Sequence, residues 1–165
     1  MIRVATKDDI SRIAEIQIAG WRYAYRGIIS DYELFSERQV SKSIQATITR
    51  FDSNCAYIVY EDMNDKIIKG FAWHGPSRDD DKKSAYEVVA FYVQPEFTRN
   101  GIGLLLIDYL SAIAKNNQCT ELIAWVLEGN HKGISFYKKN GFIDDGKRKH
   151  IEKWNKEEMR MVKVL

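Results

Sequence analysis

Phe91-Tyr92-Val93-Gln94-Pro95-Glu96-Phe97-Thr98-Arg99-Asn100-Gly101-Ile102-Gly103, followed by Leu104-Leu105-Leu106-Ile107-Asp108-Tyr109-Leu110, is the stretch on which the reading of the chain turns. It reads as a strand, a turn at Pro95, a loop with two glycines and an apolar helix. Glycines just before a helix let the backbone approach a ligand, and the helix's unpaired N–H groups and dipole favour negative charge there. The outline is that of a phosphate cradle, although glycines also start helices for purely local reasons. Two better-known phosphate loops do not fit. The dinucleotide fingerprint needs a small residue where Leu106 stands, and the nucleotide P-loop needs Gly-Lys-Ser/Thr, which is absent.

Downstream, the helix of residues 101–116 is roughly 24 Å long at 1.5 Å per residue, comparable to a small sheet's width. Residues 121–127 read as a strand apolar enough to be buried on both faces. Gly129 and Asn130 break it, residues 131–139 form a short helix stopped by Asn140-Gly141, and residues 142–148 and 158–165 close the chain as strands. The last strand alternates Met159, Met161 and Val164. Upstream, residues 85–93 form the strand that leads into the glycine loop. Before them lie a polar loop at 76–83 with Asp79-Asp80-Asp81, expected in solvent, and a hairpin of strands 55–60 and 67–73. Residues 36–50 suggest a helix with Val40, Ile44 and Ile48 on one face, joined by a connection at 28–34 to a first helix that runs from a Thr6 cap to Gly27. That first helix has Ile10, Ile13, Ile16 and Trp21 at helical spacing and Asp8 and Asp9 in its first turn. With a short strand at 2–5 the order is β-α-α-β-β-β-α-β-α-β-β, a mixed α/β (α+β) layout. No repeat or linker divides it, so one domain over residues 1–165 is expected.

At 165 residues the chain is long enough to bury a sizeable core. A net charge of +2 is too small to point to nucleic acid, and Lys147-Arg148-Lys149 is the nearest approach to a charged run. No apolar stretch approaches the roughly 18 to 20 residues of a membrane span, and the N-terminus lacks a signal peptide's apolar region, so a cytoplasmic protein is expected. Cys55 and Cys119 have neither a C-x-x-C spacing nor paired histidines beside them; both are expected as buried free thiols, and no metal site is expected.

The sequence resembles the GNAT superfamily of acyl-CoA-dependent N-acyltransferases over nearly its whole length. Two separated motifs carry the resemblance: Val93-Gln94-Pro95-Glu96-Phe97 leading to Gly101-Ile102-Gly103, and Asn130 followed by Phe136-Tyr137-Lys138-Lys139-Asn140-Gly141-Phe142. The segment Trp21-Arg22-Tyr23-Ala24-Tyr25-Arg26-Gly27-Ile28-Ile29 is similar to the first-helix region of many bacterial members. The chain departs from the family's usual Arg/Gln-x-x-Gly-x-Gly/Ala loop in carrying Thr98 at the first place and Arg99 after it, where the family often has glycine. The resemblance implies a GNAT-type fold with a mixed central sheet of about six to seven strands flanked by about four helices. It implies transfer of an acetyl group from acetyl-CoA to a primary amine by direct attack in a ternary complex, the acceptor being a small-molecule amine or a peptide amine, and homodimers, which the family often forms. The alternative is a catalytically inactive acyl-CoA-binding or regulatory module on the same fold.

Residue by residue, the resemblance puts the pyrophosphate of the cofactor on Arg99, Asn100, Gly101, Ile102, Gly103 and Leu104, with the Thr98 hydroxyl as a weaker contact. The pantetheine arm would lie along the backbone of Phe91, Tyr92 and Val93, with a backbone N–H near Val93 facing the thioester oxygen. Asn130 would touch the cofactor arm, cap the last helix, or both. Tyr137 matches the tyrosine that protonates the departing thiolate in many members; it is also an aromatic able simply to pack on its helix. Glu87 stands where the family often carries an acidic residue able to take the amine's proton, or else is a salt-bridged strand glutamate. An alkylammonium has a pKa of about 10.4, so something must accept that proton. Trp21, Tyr23 and Tyr25 line an acceptor pocket or fill the core, Asp79 to Asp81 attract a cationic acceptor or are simply solvated, and His74, His131 and His150 carry no assigned role.

Overall fold

The computed structural model describes residues 1–51 and 56–165. Strands β1 (Ile2–Val4), β2 (Ala56–Glu61), β3 (Ile68–Pro76), β4 (Ala85–Val93), β5 (Glu121–Leu127), β6 (Ile143–Ile151) and β7 (Lys156–Val164) form one seven-stranded sheet in the order β1-β2-β3-β4-β5-β7-β6. Helices α1 (Ile10–Tyr25), α2 (Val40–Phe51), α3 (Ile102–Asn116) and α4 (His131–Lys139) accompany it. Element order and strand number agree with the expected GNAT-type architecture. Only β4 and β5 run parallel; the other neighbours are antiparallel.

The pleat assigns side chains to the two faces of this sheet. One face carries Ala72, Tyr86, Val88, Leu122, Ala124, Val126, Met159 and Met161, which pack on Leu106, Ile107 and Leu110 of α3 and on Tyr137 of α4. The opposite face carries Tyr57, Val59 and Phe71 against Ile13 and Ile16 of α1. β4 changes face in mid-strand. Trp73 pairs with Ala90 and His74 with Val88, so Val89 is an extra residue with no counterpart. Before this bulge Tyr86 and Val88 face α3; after it Phe91 and Val93 do, while Ala90 and Tyr92 turn to α1. A bulge is the device by which a strand re-aims its side chains.

Several expectations are corrected. α1 is preceded by a short 3₁₀ turn, Lys7–Asp9, in which the Asp9 carboxylate accepts the Thr6 N–H at 2.7 Å and two donors from Arg3. Part of the connection after α1 is a π-helical turn, Tyr32–Glu37. In α2 the expected apolar face is buried only in part: Val40 and Ile44 are half-buried but Ile48 is exposed, and the helix sets buried Thr47 and the Ser43 hydroxyl inward, the latter donating to Gln17 of α1 at 2.7 Å. The loop at 76–83 is not simply solvated, because Asp79 and Asp81 hold the buried guanidinium of Arg160 at 2.9 and 2.8 Å, with Asp145 at 2.8 Å. On β7, Met159 and Met161 are buried, but Val164 is exposed and Arg160 and Val162 fill the other face. Cys119 is a free thiol but only half-buried, lying in the turn after α3; Cys55 lies outside the described residues. Among the described residues no helix is long and apolar enough to cross a membrane.

Candidate active site

β4 and β5 are paired only from Ala85 with Glu121 to Val88 with Ala124. Beyond that point β4 runs on to Val93 and β5 to Leu127 without pairing to each other, and the two strands part. A cleft of about 900 Å³ opens in the gap, floored by the ends of both strands and walled by α1, α4 and the glycine loop. An unpaired strand edge inside a protein is a template for another extended chain. β4 offers that edge where Phe91, Tyr92 and Val93 line the cleft.

At one end of the cleft stands the loop that precedes α3. Arg99 and Gly101 both take left-handed backbone angles, φ +66° and +78°. Among the described residues the main-chain N–H groups from Arg99 to Leu104 have no acceptor, the first helical bond being Leu105 N–H to the Gly101 carbonyl. Successive unpaired N–H groups in such a turn, at the start of a helix, make an anion-binding concavity. Gly103 also permits a close approach: a Cβ there would lie 2.8 Å from the Phe136 ring, so the glycine is what lets α3 and α4 meet beneath the loop. Arg99, Lys132 and Lys139 add positive charge to the lining of the cleft.

The remaining expected residues fall as follows. Thr98, Arg99, Gly101, Gly103 and Leu104 line the cleft, whereas Asn100 is exposed beside it and the Ile102 side chain is buried in the core, leaving only its main chain to the loop. The Thr98 hydroxyl donates to the Pro95 carbonyl at 2.9 Å, so its proton already has a taker. Asn130 serves as helix cap and cleft residue at once: its Oδ1 accepts the Gly133 N–H at 3.0 Å. Tyr137 is buried against Phe91, Phe136 and Phe142 and reaches the cleft; burial raises its phenol well above the ordinary value, which keeps it protonated.

Glu87 does not line the cleft. It is 1% exposed and takes three hydrogen bonds from Arg78, one from the backbone N–H and two from the guanidinium. On the same face of the sheet, Glu158 of β7 stands opposite Leu127 of β5 and does line the cleft. Burial raises the Glu158 carboxyl, with Lys149 and Arg78 opposing and Glu87 reinforcing the shift. Among the described residues it makes no ion pair, which leaves its oxygens to a ligand. Sequence reasoning missed Glu158, whose one signal was its parity with Arg160 and Val162 on the last strand. Of the first-helix aromatics, Trp21 is both buried and a cleft wall, Tyr25 is half-buried in the cleft, and Tyr23 is exposed beneath Lys132, 3.9 Å from the ring centroid. Burial raises the Tyr25 phenol, and the polar side chains of Tyr92 and Asn130 oppose that shift.

Comparison with known proteins agrees with this geometry. The family model described as "Acetyltransferase (GNAT) family" matches residues 16–142. The spermidine N(1)-acetyltransferase of Thermoplasma acidophilum is 28% identical over 147 residues, 86% of each chain. The crystal structure of the PaiA N-acetyltransferase of the same organism, in complex with coenzyme A, superposes with a TM-score of 0.74 at 23% identity, covering 100% of this chain and 98% of that one. A ribosomal-protein-alanine N-acetyltransferase from Brucella melitensis gives 0.71 at 22% identity, covering 100% and 99%.

Proposed function

The chain belongs to the acetyltransferase (GNAT) family, and from that premise we propose that it acts as a single domain over residues 1–165, moving an acetyl group from acetyl-CoA to the primary amine of a small molecule by direct attack in a ternary complex. The observation that carries the reading is the continuity of the unpaired N–H groups from Arg99 to Leu104 with the open edge of β4 in one cleft. The loop's main chain and the surrounding cations suit a pyrophosphate, and the β4 edge suits an extended amide-bearing arm. The similarity to a spermidine N(1)-acetyltransferase supports a small-molecule amine as the acceptor class.

Two side chains handle protons in this reading. Glu158 takes the proton of the acceptor's ammonium, a task suited to a carboxylate whose pKa is raised and whose oxygens are unengaged. The freed amine nitrogen forms the new bond to the acetyl carbon as the carbon–sulfur bond breaks, Tyr137 delivers its phenolic proton to the departing sulfur, and the surplus proton left on the new amide nitrogen returns the tyrosinate to phenol. Glu87 takes no part in proton transfer; it fixes Arg78. No sequence motif marks a cysteine or serine as an acyl carrier, in keeping with direct attack.

Calorimetric titration with acetyl-CoA and CoA, run beside a thiol-release assay over an amine panel, tests the reading. Binding of both with turnover of at least one amine is expected. Tyr137→Phe is expected to keep CoA affinity and to slow turnover by about 10² to 10⁴. Absence of binding overturns the cradle, and unchanged turnover in Tyr137→Phe at saturating amine overturns the acid role.

A further inference from the structure

Two arginines enter the cleft from the α1 and α2 side of the sheet, away from the glycine loop. Arg38 lays its guanidinium 3.8 Å from the ring centroid of Trp21 and 5.8 Å from that of Trp154. Arg50, in the last turn of α2, lies 4.8 Å over Trp73. Both line the cleft. Among the described residues neither guanidinium has an ion pair or a hydrogen bond; Arg38 enters one only through its carbonyl, which accepts from Arg22. The neighbouring carboxylate that would neutralise Arg38, Glu33, is held instead by Lys153 at 2.7 Å.

A guanidinium stacked on an indole keeps its planar fork of N–H donors free at the edge, the geometry that fits a carboxylate. Two such cations, near enough to oppose each other's charge, call for an anion between them. They cannot be serving the cofactor phosphates, which have their own cations and N–H groups at the other end of the cleft. Arg38 stacks on Trp21, Trp21 packs in one cluster with Leu127, and Leu127 pairs with Glu158, so both charges flank one stretch of the cleft.

We propose that the acceptor is an amino-carboxylate, its carboxylate received by Arg38 in the field of Arg50 and its amine presented to Glu158. The inference rests on the transfer reading above and narrows its acceptor. A polyamine would instead bring a second ammonium against two unneutralised guanidinium groups, so this cleft selects against the acceptor named for the Thermoplasma relative.

The test compares L-phenylalanine with phenethylamine, which lacks only the carboxylate, and with spermidine, by thiol release in the presence of acetyl-CoA. A kcat/KM ratio favouring L-phenylalanine over phenethylamine by roughly tenfold or more is expected, the size of one charge-assisted hydrogen bond, and Arg38→Gln should bring the ratio towards one while Arg38→Lys keeps part of it. Turnover with no carboxylate preference, or a preference that survives Arg38→Gln combined with Arg50→Gln, overturns this inference and leaves the transfer reading standing. If no amine turns over, the transfer reading falls, and titration of the CoA-loaded protein with N-acetyl-L-phenylalanine still decides the anion site: binding lost in Arg38→Gln supports it, and no binding to the unaltered protein overturns it.

Discussion

Arg78 closes over Glu87: its Nη2 lies 2.6 Å from Oε1 and its Nε 3.0 Å from Oε2, the carboxylate being buried and the guanidinium side chain 55% exposed. A buried carboxylate held this way is an anchor for the loop that carries Arg78. Glu87→Gln should therefore cost stability, about 1–3 kcal/mol in urea denaturation, since it weakens charge-assisted bonds to a buried group. The acid limb of the pH–rate profile should be the same in this variant as in the unaltered protein. A displaced limb would return Glu87 to the proton-transfer chain.

Glu158 should behave in the opposite manner. Its raised pKa means that the folded state holds the proton more tightly than the unfolded chain, so its contribution favours folding at low pH and is lost as pH rises through the raised value. Glu158→Gln should accordingly raise the melting temperature at pH 8 and leave it little changed at pH 4. Turnover should fall by about 10² or more and lose its acid limb. Lower stability at pH 8 would contradict the assignment.

Arg99 holds a left-handed backbone angle that costs a non-glycine residue about 1 kcal/mol. Arg99→Gly should return roughly that amount in urea denaturation while weakening CoA binding, and should flatten the dependence of that binding on salt. If affinity and salt dependence stay unchanged, the arginine is not directed at the phosphates.

His74 is buried, with Nδ1 2.9 Å from the Tyr86 hydroxyl and Nε2 without a partner among the described residues. Burial holds its pKa down to about 4. As pH falls below 6.5 the unfolded chain takes up the proton and the folded one does not, so stability declines between pH 6.5 and 4 and then levels off. His74→Asn should reduce that decline by up to about 3 kcal/mol, read from urea midpoints across the interval.

The parts of the fold legible in the sequence are those written in local patterns. The span of β5, the extent of α4 and the approach of β4 to the glycine loop follow from apolar runs and their breakers, and all three lie where the pattern put them. Long-range pairing was not legible. Nothing near Arg160 announces that Asp79, Asp81 and Asp145 converge on it, and nothing near Glu158 announces that the far end of β5 brings it to the cleft. The last turn of the face that α2 buries was misjudged because periodicity weighs Ile48 above Thr47, whereas a helix lying along another helix chooses the side chain that fits. At the site, the main-chain features of the loop could be read from its glycines, but a missing strand partner leaves no trace in composition.

The extra residue at Val89 gives β4 an unusual grammar. An alternating strand carries one binary instruction, which parity of residue looks to which side, and here the instruction is inverted halfway, so that even numbers face α3 before Val89 and odd numbers face it afterwards. No substitution can rewrite such a sign, because every side chain inherits it from position alone. A deletion of Val89 would set Ala90 directly after Val88 in a plain ladder, so that Phe91 and Val93 keep the α3 side and Ala90 and Tyr92 the α1 side, with only the bulge and its local twist removed. The facing of this strand is thus a matter of counting, and the count is kept by a residue that pairs with nothing.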